Sequence, residues 1–280
     1  MILHGNLMAA ARALLLAPRP ATTGLMIHVP EGSGPQPLTL GLGDPLGGGA
    51  VFDLAPPVEL FHLHGATRID LRPGLEPALV HGAGNAARGW QGRVDLSAPG
   101  LHTLVAVSAP VLDTDARCLV QHGAKALTLA GNGPSGAATV LGLAAEIVPD
   151  PLPPALLPGA CLSARVLARG RPVEGVTVQL ERVAADLHAG RVMPRPAADG
   201  PVWILAETDP AGRFRVSLPM PGLWRLTASG VGRDGWSGWR RVRHDATLWL
   251  RIGAGADKAP AGEPPRQPTA SHRAPREMPA

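Results

Sequence analysis

The sequence predicts an all-β protein built as two consecutive β-sandwich domains. Gly and Pro number 35 and 31 in 280 residues, which demands many tight turns. Apolar residues recur every second position in short runs, and few segments show a sustained helical period. Hydrophobic residues make up 45% of the chain against 17% charged, so a core can be built in each half, and the length suits about two domains. With no Tyr and 3 Phe, the 6 Trp must supply most of the aromatic packing.

The segment 1–23 carries a short apolar stretch, LMAAARALLLAP (7–18), interrupted by Arg12 and preceded by no Lys or Arg. It reads as a signal-like segment or a short amphipathic helix. The N-terminal β-domain, 24–148, follows. Its strands are LMIHV (25–29), PLTLGL (37–42) and VELFHLH (58–64), with a glycine-rich loop at 43–49. RVDL (93–96) and LHTLVAV (101–107) flank SAPG (97–100), and this pattern predicts a hairpin with Pro and Gly at the bend. The half closes on the strand CLVQHGAKALTL (118–129).

Residues 149–159 are dense in proline, with Pro149, Pro151, Pro153, Pro154 and Pro158. Proline fixes φ and removes backbone donors, so no central strand is expected there, and the segment reads as a stiff domain linker. The C-terminal β-sandwich, 160–253, begins with ACLSARVL (160–167) and VEGVTVQL (173–180). A loop is expected at 184–201. The turn TDPAG (208–212) leads into RFRVSL (213–218), LWRLTA (223–228) and ATLWLRI (246–252). Residues 254–280 lack periodicity and read as a disordered tail.

The formal net charge is +4, and the cations are scattered apart from WRRVRH (239–244). A nucleic-acid binder would present a denser basic stripe with interleaved aromatics, so none is expected as a partner. No apolar run reaches 18 residues, which leaves no candidate membrane-spanning helix. Cys118 and Cys161 are compatible with a disulfide or with two separate thiols. No nucleophile elbow, His-Glu-x-x-His, Cys-x-x-Cys or phosphate-binding glycine fingerprint occurs, and no enzyme is expected.

Three places could carry metal chemistry. FHLH (61–64) puts His62 and His64 on one strand face, roughly 6–7 Å apart, where both can reach one borderline ion such as Ni²⁺, Co²⁺ or Zn²⁺. The competing reading is a polar, solvated strand face. Asp44, Glu59 and His28 are the candidate third ligands, and Asp44 can equally form an Asx turn before Pro45. His122 shares a strand face with Cys118, Val120 and Ala124. Cys118 lies about 13 Å along the strand, so His122 needs partners from other strands. Otherwise it is a partly buried imidazole hydrogen-bonded to backbone. His102 and His81 sit beside turn glycines and are assigned no function.

The motifs GRPVEGVTV (170–178), TDPAGRFRVSLP (208–219) and PGLWRL (221–226) resemble a small Greek-key β-sandwich of the carboxypeptidase-regulatory or transthyretin-like type. Over 25–252 the chain resembles one bacterial periplasmic family of DUF4198 type, described as a component of nickel uptake. The resemblance runs through PLTLGLGDPLGGGAVFDLAPP (37–57), WQGRVDLSAPGLHTLVAVSAPVLDTDARCLVQHGAK (90–125), GLAAEIVPDPLPP (142–154) and RGRPVEGVTVQLE (169–181). It continues through the turn-strand block at 208–228 and ends in ATLWLRI (246–252).

The resemblance implies a periplasmic accessory protein that carries Ni²⁺ or Co²⁺ as cargo for a metal-uptake membrane transporter. The family pattern has a His near the mature N-terminus, a His-Pro pair in the first loop and a His-Tyr-Thr-Lys-like strand. Here the first position falls near Gly24, with His28 close by. The second has become Asp44-Pro45, and the third persists as His122-Gly-Ala-Lys125. The resemblance therefore implies His122, Asp44 and His28 as ligand positions, beside His62 and His64, which the strand spacing alone puts forward. The alternative is a metal-free envelope module whose tryptophans between 224 and 249 dock on a membrane-protein partner.

Overall fold

The computed structural model describes residues 23–28, 32–44, 50–82, 84–113, 117–131, 138–152, 156–183, 185–188, 191–194, 203–232, 234–237 and 240–253. The signal-like stretch and the expected tail therefore lie outside the described residues. The described chain is all-β, with one 3₁₀ turn at Arg72–Gly74.

Three sheets form. The seven-stranded sheet holds β1 (Gly24–His28), β2 (Pro35–Gly43), β3 (Val51–Phe52), β6 (Glu76–His81), β7 (Ala86–Asp95), β15 (Ala185–His188) and β16 (Arg191–Pro194). The ten-stranded sheet runs β17 (Trp203–Glu207), β14 (Thr177–Arg182), β19 (Gly222–Ala228), β21 (Arg240–Ile252), β10 (Cys118–Ala130), β8 (Gly100–Val107), β4 (Glu59–His64), β5 (Thr67–Asp70). In it β20 (Gly235–Ser237) adds to β21 and β9 (Val111–Asp113) to β10. The four-stranded sheet holds β11 (Glu146–Pro149), β12 (Cys161–Ala168), β13 (Arg171–Pro172) and β18 (Arg213–Ser217).

The ten-stranded sheet is shared by both halves. β10 and β21 pair in parallel, with His122 level with Asp245 and Ala126 level with Trp249. Side chains alternate faces along each strand, which gives the shared sheet one core on each face. Leu60, Leu104, Ala106, Ala124, Ala126 and Trp249 pack with Leu25, Leu38, Leu40 and Val94 of the seven-stranded sheet. Leu127, Leu180, Trp224, Leu226 and Leu248 pack on the other face with Leu162, Val166 and Phe214 of the four-stranded sheet. Trp224 and Trp249 are fully buried, and their indole N–H groups reach the carbonyls of Met220 and Leu25. Tryptophan thus supplies the aromatic packing, as the composition requires.

Two local expectations are corrected. The strands flanking 97–100 do not form a hairpin. β7 pairs with β2 and β6 in one sheet, and β8 pairs with β4 and β10 in the other. The turn is an arch that carries the chain across the core, so Val94 and Leu104 belong to one core cluster instead of sharing a ladder. Residues 184–201 are not all loop. β15 and β16 pair antiparallel, and Arg191 meets His81 in parallel at the edge of β6, extending an otherwise open edge. Pro149 closes β11, whose one partner strand among the described residues is β12, the edge position that a proline tolerates. The two halves are joined through the β10–β21 ladder. Cys118 and Cys161 are free thiols, one buried and one exposed.

Candidate functional site

The period-two reading of FHLH holds: His62 and His64 lie on the face of β4 that also carries Leu60, toward the seven-stranded sheet. The face is not solvated at His62, which is 4% exposed. The reason is a third imidazole. His64 is level with His102 across the β4–β8 ladder, and His102 is itself buried. The His102 ring stacks on His64 with centroids 4.5 Å apart and lies 5.0 Å from His62. Sequence reading assigned His102 no role, because the register that brings β8 against β4 leaves no local mark.

The 97–100 arch orients these rings. Asp95 accepts hydrogen bonds from the Ser97 amide and hydroxyl, which fix its first residues. Gly100, at φ 123°, returns the chain into β8. Two carbonyls of the arch then point at histidines. His102 Nε2 lies 2.7 Å from the Ala98 oxygen and His64 Nε2 lies 3.2 Å from the Pro99 oxygen. A carbonyl only accepts, so both Nε2 atoms carry protons. His102 Nδ1 is 2.8 Å from His62 Nε2.

Burial lowers the His102 pKa, against a hydrogen bond to Ala98 that raises it. Burial also pushes His62 down from 6.5 to about 4, with the neighbouring His102 and His64 adding to the shift and Asp95 opposing it. His62 is therefore neutral at pH 7, the form in which imidazole binds metal.

The remaining sequence candidates lie elsewhere. His62 is level with Leu104, and Leu104 with Ala126, four residues beyond His122. At the usual rise and strand spacing this separates His122 from His62 by about 16 Å, too far to share one ion. His122 does occupy the predicted face with Cys118, Val120 and Ala124. It is 4% exposed, and its Nδ1 has no hydrogen-bond partner. Burial lowers its pKa, which Asp245 partly offsets.

Asp44 accepts from Arg225, which also pairs with buried Glu181. His28 ends β1 level with Thr39, while Gly43, next to Asp44, is level with Gly24 at the other end of the ladder. Among the described residues, no three His, Cys, Asp or Glu side chains form a group able to hold a metal ion. What the fold gathers is the imidazole trio His62, His64 and His102.

Trp236, on β20 at the sheet margin, is 72% exposed. Trp239 lies outside the described residues. Among the described residues, no helix is long and apolar enough to cross a membrane.

Curated proteins give no match. Among solved structures, the chain is similar to the Bacillus anthracis TIE protein at 5% identity and TM-score 0.18, covering 90% of this chain and 42% of that one. It is similar to a marsupial T cell receptor at 11% identity and TM-score 0.20, covering 84% and 72%. A third likeness is to Dpr2 Ig1-Ig2 in complex with DIP-Theta Ig1-Ig3, at 12% identity and TM-score 0.16, covering 81% and 65%. The chain thus spans less than half the length of the Bacillus anthracis protein, and TM-scores this low carry no argument about fold or function. A family model described as "Domain of unknown function (DUF4198)" matches residues 27–232. The chain belongs to the DUF4198 family.

Proposed function

We propose that the protein is a non-catalytic periplasmic accessory of transition-metal uptake. It binds Ni²⁺ or Co²⁺ weakly through His62 and His64 and delivers the ion to, or senses it for, a membrane transporter. One observation carries this reading: His62 and His64 share a strand face, and each commits its Nε2 to a protein partner. In the neutral imidazoles, Nδ1 is then the lone pair left for an ion. Imidazole suits these borderline cations, and fixing the second ring nitrogen is the usual support for a histidine ligand. Two protein donors completed by water make a weak, exchangeable site, which suits cargo more than a structural metal. The C-terminal half is proposed as transthyretin-like, supported by the antiparallel pairing of β12 with β18 and of β14 with β19.

Isothermal titration of the full chain with NiCl₂, beside a His62→Ala/His64→Ala variant, tests the proposal. Saturable heat from the parent chain that disappears in the variant supports it, and equal heats from both reject it.

A second reading is favoured by Trp236, whose exposed indole on β20 is the kind of anchor that dominates interfaces. In this reading the protein is a metal-free docking module for an envelope partner. Unchanged recovery of a membrane-protein partner by a Trp236→Ala chain removes it.

A further inference from the structure

We infer that His102 is the positioning residue of the imidazole site: it fixes the tautomer of His62, so that Nδ1 of His62 faces the incoming ligand as a lone pair. The inference rests on the site proposed above and deepens it.

One chain of contacts fixes where each proton sits. The Ala98 carbonyl can only accept, so His102 Nε2, 2.7 Å away, must be its protonated nitrogen. A neutral imidazole holds one N–H, which leaves His102 Nδ1 as an acceptor. His62 Nε2, 2.8 Å from that atom, must then be the donor. His62 is consequently the Nε2–H tautomer with its lone pair on Nδ1. The reverse order requires a doubly protonated His102. That cation would be buried, stacked on His64 and 5.0 Å from the ring of His62.

His64 is set independently by the Pro99 carbonyl. Both ligand rings are thus keyed to consecutive carbonyls of a single arch, one directly and one through His102.

The test is a long-range ¹H–¹⁵N spectrum of the ¹⁵N-labelled full chain at neutral pH, read without metal and then with NiCl₂. The parent protein is expected to show His62 as the Nε2–H tautomer. His102→Ala should leave His62 as a mixture of tautomers and weaken Ni²⁺ binding by about 10-fold or more. His102→Asn, which keeps an acceptor near the Nδ1 position, should restore both. An Nδ1–H tautomer of His62 in the parent chain overturns the inference, and that reading needs no variant to fold. An unchanged His62 tautomer in folded His102→Ala overturns it as well. A tautomer that responds as described in a chain that never binds Ni²⁺ upholds the positioning role and rejects the metal-carrier reading.

Discussion

Lys125 on β10 and Glu146 on β11 form an ion pair with Nζ and Oε2 2.5 Å apart and both side chains closed off from solvent. Glu146 also accepts the amides of Leu141 and Gly142, so the pair ties the segment before β11 to the middle of the shared sheet. Burial lowers the Lys125 pKa, and Glu146 opposes the shift. Removing one partner leaves a buried charge uncompensated. Lys125→Met or Glu146→Gln alone should cost about 3–5 kcal/mol in chemical denaturation. The double variant Lys125→Met/Glu146→Gln should cost less than the two single losses combined. Additive losses would show that the two side chains are not coupled.

Acid should destabilise the protein through its buried histidines. His62 has a folded pKa of about 4 against 6.5 for the free side chain, and those of His102, His122 and His244 are also lowered, burial being the first cause in each. Between those values the unfolded chain binds more protons, so stability falls as pH drops from about 6.5 to about 4, then levels for this group. Denaturation at stepped pH should show this slope, and His62→Gln should flatten part of it. A stability constant over that window contradicts the burial of neutral histidines.

Gly89 on β7 lies where a side chain cannot fit. A Cβ there would stand 2.4 Å from the Leu40 carbonyl oxygen and 2.4 Å from Val80 Cγ2. Backbone oxygen in a β-ladder has little room to yield. Gly89→Ala should cost about 1–3 kcal/mol, toward the upper end. A neutral result would mean that β2 and β7 approach less closely than described.

The two ends of tryptophan exposure make opposite forecasts. Trp249→Ala should cost about 3–5 kcal/mol, because the ring fills the core between β10 and β1 and holds the Leu25 carbonyl. Trp236→Ala, at 72% exposure, should change stability by no more than about 0.5 kcal/mol. Thermal unfolding of the two variants side by side checks the pair.

The extent to which the sequence disclosed this molecule follows from the range of each interaction. Alternation within a strand is local, and it placed His122, Val120 and Cys118 on one face and His62 with His64 on another. Pro and Gly announced a bend at 97–100, but a hairpin and an arch ask for the same turn residues, and only the partner strands distinguish them. The parallel pairing of β10 with β21 joins segments about 120 positions apart. It depends on side-chain packing over both faces, which no short window encodes. The role of His102 is illegible in the sequence for the same reason: nothing within several residues of it marks a histidine of β4 as its neighbour. The family likeness drew attention to His122, yet the register sets that ring far from His62.

The most direct test of the imidazole site is to titrate ¹⁵N-labelled full chain with Co²⁺ and follow the histidine ring signals. The account predicts that substoichiometric Co²⁺ shifts or broadens His62 and His64 first, with His102 affected next, while the buried rings of His122 and His244 stay sharp. Perturbation of His122 before His62, or none at His62 and His64 in excess Co²⁺, would contradict it.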